Sequence, residues 1–164
     1  MSSLLKPFAR LQESLSKRFL WRHHLQEARQ ELARLRNELP TLEMMLTIPC
    51  VFKGRGHYRS LGLKQNMLEI LGVATRLKEH PLRNVCEIGT YKGGTLFIWC
   101  QLAAPDARVF SIDLPGGQFG GGYNEKSLPL FQSYASCPAS TPWIGRAGRL
   151  RSTPQGGATR FSFY

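Results

Sequence analysis

The sequence predicts an α/β fold built on parallel strands, and three observations predict it. A short apolar strand, Asn84–Ile88, runs into a glycine-containing turn, Gly89–Gly94, and then into an apolar helical run from Thr95 to about Ala103. A second short strand, Ala107–Ile112, follows and ends in Asp113. A stretch with apolar residues at helical spacing, Leu63–Leu77, precedes both strands. Helices alternating with short strands are the signature of a doubly wound parallel sheet.

Residues 8–39 read as one helix, with Pro7 at its first turn and Pro40 just past its end. Leu4, Phe8, Leu11 and Leu15 keep helical spacing, and Leu25, Ala28, Leu32, Leu35 and Leu39 alternate steps of three and four like a heptad seam. Phe19, Leu20 and Trp21 break that register, with Arg18 and Arg22 where the seam would continue. Such a helix has three uses: folded back over its own domain, paired in a coiled-coil homodimer, or laid on an anionic membrane surface. His23 and His24 are adjacent, point apart, and are expected at the surface.

Residues 40–62 read as a connector, in which Glu43–Leu46 is compatible with a turn of helix before Pro49 and the Gly54–Tyr58 stretch break regular structure. It is expected to form either part of the mouth of a site or a plain surface loop; His57 and Tyr58 are its titratable candidates for acid–base work. Residues 63–135 then carry the domain: the Leu63–Leu77 helix ended by His80-Pro81, the first strand, the glycine turn and helix, a Pro105-Asp106 turn, and the second strand. The glycine-rich Leu114–Tyr123 stretch reads as a flap or a surface loop, and residues 125–135 as a further helix.

After Ala135 the composition changes to glycine, proline, arginine, serine and threonine, and residues 136–164 show no strand or helix periodicity before Phe161–Tyr164. They are expected to form an irregular basic tail, so that the domain stops about halfway. The expectation is a truncated form, through a frameshifted gene or as a short form completed by a partner.

A hydrophobic share of 42% places the chain among ordinary globular proteins, but a formal net charge of +11 is unusual. Much of the excess sits at the two ends; residues 137–164 hold four arginines and no acidic residue. That balance attracts anionic surfaces without implying specific nucleic-acid recognition. Cys50, Cys86, Cys100 and Cys137 form no C-x-x-C pair and stand at no metal-ligand spacing with a histidine, so reduced thiols are expected, with Cys86 and Cys100 buried. No run is long and apolar enough to cross a bilayer and no signal peptide is evident, so the expected location is cytoplasmic.

The chemistry is spelled by the turn. Strand, glycine turn and helix aim a helix N-terminus at a ligand, and Gly89, Gly93 and Gly94 allow positive φ and close backbone approach. Asp113 lies about 20 residues beyond the turn at a strand end, where a carboxylate accepts hydrogen bonds from a ribose or else caps a turn. The dinucleotide fingerprint G-x-G-x-x-G needs a glycine where Tyr91 stands, which disfavours NAD. Glu87 places negative charge where a cationic ligand is welcome and a phosphate is not, unless it is a buried acid satisfied within the protein.

The residues E-I-G-T-Y-K-G-G-T, followed by S-I-D-L-P-G-G-Q-F-G-G-G-Y, resemble the class I S-adenosylmethionine-dependent methyltransferases, in particular the cephalosporin hydroxylase-like and sugar O-methyltransferase branch. The resemblance covers roughly residues 58–135 and implies a Rossmann-like fold that binds S-adenosylmethionine and methylates an oxygen of a sugar or small metabolite. It assigns Glu87, Gly89, Thr90, Tyr91, Gly93, Gly94, Thr95 and Asp113 to the cofactor pocket and puts Gln65 nearby. The family admits a divalent metal, for which this chain shows no ligands, and the resemblance supplies no catalytic residue. The competing classes are a non-catalytic membrane- or partner-binding protein acting through its basic N-terminal helix, and an NAD-dependent enzyme.

Overall fold

The computed structural model describes residues 5–113, 125–134 and 143–146. Helix α1 runs from Leu5 to Glu38 as one element and ends at the residue pair before Pro40. The inner part of its heptad seam is spent within the chain: Leu25, Ala28, Leu32 and Leu35 are all buried in the same core as Leu96, Phe97 and Phe131. Arg36 fastens this end, donating to the Tyr134 carbonyl at 2.5 Å with its guanidinium 5.3 Å from the centre of the Phe97 ring. Burial holds that guanidinium below its ordinary pKa. Phe19 and Leu20, where the register breaks, are exposed.

The connector is more regular than its sequence suggests. Helix α2, Leu42–Val51, starts at Thr41, whose hydroxyl accepts from the Met44 amide, and continues through Pro49. Proline removes the N–H that would bond the Met45 carbonyl and crowds that turn, but the Phe52 amide still bonds the Ile48 carbonyl and closes the last turn. Burial of Leu46, Ile48 and Pro49 offsets the missing bond. Helix α3, Met67–Leu77, begins four residues later than its apolar spacing predicts, because Asn66 caps it by accepting from the Leu68 amide at 2.9 Å. Ile70 and Ala74 form its buried stripe.

The sheet is parallel. Strand β1, Leu82–Ile88, pairs with β2, Ala103–Asp113, in a register that sets Glu87 opposite Ser111 and Ile88 opposite Ile112. The predicted Pro105-Asp106 turn lies inside β2, at a shift in register opposite Arg83, where Arg83 and Asp106 form an ion pair at 2.6 Å. Helix α4, Gly94–Leu102, makes the crossover and buries Leu96, Phe97, Ile98 and Cys100. After β2 come a 3₁₀ turn at Glu125–Ser127 and the short helix α5, Leu128–Phe131, within the predicted 125–135 element.

One expectation for the tail is overturned. Trp143–Arg146 forms a third parallel strand, β3, beside β2, from Phe110 opposite Trp143 to Asp113 opposite Arg146. Four residues are too few to show a period, and their backbone is held by the edge that β2 offers. Sheet order is therefore β1-β2-β3. The predicted 114–123 flap, Cys137 and Phe161–Tyr164 lie outside the described residues.

The two faces of the sheet differ. Ala107, Val109, Ser111 and Asp113 alternate onto the buried face of β2, with Glu87 beside them on β1. Cys86 and Ile88 point the other way and are exposed, as is Phe110. Cys86 is thus not buried as predicted; being in a strand fixes burial only when both faces of the sheet are covered. Cys100 is buried. Among the described residues, no helix is long and apolar enough to cross a membrane.

Candidate functional site

The site forms where β1 and β2 end side by side and the chain turns toward α4. Because Glu87 pairs with Ser111, and Asp113 is two residues beyond Ser111, both carboxylates project from the same face of the sheet. Ser111 links the two strands. Its hydroxyl donates to Glu87 Oε2 at 2.6 Å and lies 2.6 Å from the Thr90 hydroxyl, and all three side chains are buried. Glu87 Oε1 is also buried, but finds no hydrogen-bond partner among the described residues. Burial pushes the Glu87 carboxyl up to about 7; the Ser111 hydrogen bond opposes this and the nearby Asp113 charge adds to it.

The turn itself is tightly specified. Gly89 has φ +95°, and among the described residues nothing lies within 4 Å of where its Cβ would stand, which leaves its backbone open to them on that side. Tyr91 takes φ +48°, an unfavourable conformation for a bulky residue. Asp113 secures it, accepting from the Tyr91 amide at 2.7 Å. Asp113 therefore caps this turn whatever else it contacts. Lys64 and Lys92 place their ammonium groups 5.2 and 5.5 Å from the Tyr91 ring centre, within cation–π range.

Gly93 and Gly94 serve packing. Gly93 has φ +76° and starts α4, and a Cβ there would come within 2.5 Å of the Phe131 ring. At Gly94 a Cβ would meet the Gly62 carbonyl oxygen at 2.4 Å, and the Gly94 amide donates to that same oxygen at 3.1 Å. The residue that crowds each glycine is thus one of the chain's own. Thr95, buried in the first turn of α4, donates to Gln65 Oε1 at 2.8 Å, which brings Gln65 to the helix start.

The structure therefore gathers Glu87, Thr90 and the loop from Gly89 to Tyr91 around the ends of the two strands, joined to Asp113. Gly93, Gly94 and Thr95 stand behind them, locking α4 to the segment before α3. Ser111 was missed by sequence reasoning. Its signal was the alternation of the second strand, which puts a small hydroxyl among apolar residues on the buried face. What the cluster offers chemically is one acceptor oxygen on a buried acid, next to open backbone at Gly89. These features fit a ligand with a donor or positive charge better than a metal ion; among the described residues, no group of three His, Cys, Asp or Glu side chains is placed to hold one. Comparison with family models, with curated proteins and with solved structures finds no match to this chain.

Proposed function

We propose that the chain is a methyltransferase of Rossmann-like fold that binds S-adenosylmethionine at the ends of β1 and β2 and methylates an oxygen of a sugar or other small metabolite. The observation that carries the reading is the buried Glu87 Oε1, without a hydrogen-bond partner among the described residues, on the same face as Asp113 and beside the Gly89 backbone, which no described residue covers. A parallel β1-β2-β3 order agrees with one half of a doubly wound sheet, in which ligands sit outside the carboxyl ends of the strands. S-adenosylmethionine would supply an electrophilic methyl group on a sulfonium. On this reading Glu87 receives the donor's cationic part, Gly89 lets it approach the main chain, and Asp113 accepts from the ribose as well as from the Tyr91 amide. Rate then comes mainly from holding the acceptor oxygen in line with the methyl group.

Tyr91 weighs against a dinucleotide, since it stands where the fingerprint's middle glycine would let the backbone approach a pyrophosphate. Isothermal titration calorimetry of the full chain with S-adenosylmethionine and with NAD tests the reading. Saturable binding of S-adenosylmethionine alone is expected, weakened at least about tenfold by Glu87→Ala, as loss of a buried hydrogen-bond partner implies. Binding of NAD alone, or of neither, would refute it.

A further inference from the structure

A cavity of about 450 Å³ lies beside the glycine turn, between the 56–61 segment, Tyr91 and Lys92, and α5. That volume suits a small metabolite. Its floor is apolar, with Leu61, Leu130 and Phe131 buried. Its rim is cationic: Arg59 and Lys92 line it together with His57, all three exposed, and none of the described residues lining it is acidic.

These cations differ from others of the chain. Arg55 pairs with Glu27 at 3.6 Å, Arg83 with Asp106, and Arg34 with Glu31 at 2.8 Å. Neither Arg59 nor Lys92 has a carboxylate partner among the described residues, and the contact that Lys92 makes is with the Tyr91 ring. Two unneutralised cations over an apolar floor, on a chain of net charge +11, favour an anion carrying an apolar portion.

We propose that this cavity is a binding site for a small organic anion, a phosphate or carboxylate ester-sized metabolite, held by Arg59 and Lys92 with its apolar part against Leu61, Leu130 and Phe131. Tyr91 forms a wall of the cavity and belongs to the turn that carries Gly89, so the site is next to the proposed methyl donor. Its role as the acceptor site rests on the methyltransferase reading; the anion binding does not. The acceptor is accordingly an acidic metabolite, such as a phosphorylated or carboxylated sugar, in place of a neutral one.

Titration of the ¹⁵N-labelled full chain followed by NMR, without any methyl donor, tests it. Phenyl phosphate and benzoate are the probes, distinguishing phosphate from carboxylate, with phenol as the ring without charge, all in about 0.15 M salt to screen distant charges. At least one anion should saturate, shifting backbone amide signals of residues 57–61, 91–92, 128, 130 and 131, while phenol at equal concentration does not. Arg59→Ala with Lys92→Ala should weaken binding at least about tenfold, and Arg59→Lys with Lys92→Arg should retain it. Absence of saturable shifts at these residues, an equal response to phenol, or unchanged binding by the alanine variant overturns the proposal. Because the donor is absent, failure here leaves the calorimetric result standing, and the reverse holds.

Discussion

Replacing Glu87 by glutamine tests the electrostatics of the site directly. The Glu87 carboxyl rises from an ordinary 4.5 to about 7 on folding, chiefly through burial. The folded protein therefore holds a proton there that the unfolded chain has already released. Stability from this group is fully present below pH 4.5 and is lost as pH rises through about 7. Each unit of pKa difference is worth about 1.4 kcal/mol, so the loss amounts to about 3 kcal/mol. Glutamine is neutral at every pH and still offers Ser111 an acceptor. Urea unfolding of both proteins from pH 4 to pH 8 should show Glu87→Gln gaining about 3 kcal/mol relative to the parent across that range. A relative stability that stays flat with pH, whatever its offset, would refute the argument that burial governs this carboxyl.

Two further outcomes follow from packing and exposure. Gly94→Ala drives a methyl group into the Gly62 backbone, which cannot yield as a side chain would. Overpacking and a weakened Gly94–Gly62 hydrogen bond should together cost about 2–4 kcal/mol, lowering the thermal midpoint, whereas Gly72→Ala, with open space around it in α3, should raise it slightly. Iodoacetamide at pH 8 followed by peptide mapping should modify exposed Cys50 and Cys86 in the native protein; Cys100, whose thiol burial pushes up to about 12, should react only after unfolding.

What the sequence disclosed depended on whether a residue's local pattern determines its surroundings. The strand, turn and helix from Leu82 to Leu102 were legible because period and glycine placement act within a few residues. The Leu25–Leu35 seam was legible as an apolar stripe, but a stripe does not say what covers it, and here the chain's own core does. Pro49 looked like a break because the burial of Leu46 and Ile48 that sustains α2 comes from distant segments. Trp143–Arg146 was invisible because its strand conformation is conferred by the β2 edge. Within the candidate site, Glu87 and Asp113 could be picked out from position and Ser111 from strand alternation, yet the pairing of Ser111 with Glu87 could not, since register is a property of the sheet.

The clasp made by Arg36 has a consequence for dissecting the protein. A fragment beginning at Pro40 would strip leucine cover from Phe97 and Phe131 and leave the Tyr134 carbonyl without its guanidinium. The N-terminal helix is thus a structural wall of the room in which the glycine turn stands, and cannot be pared away as a tag or tether while the remainder keeps its shape.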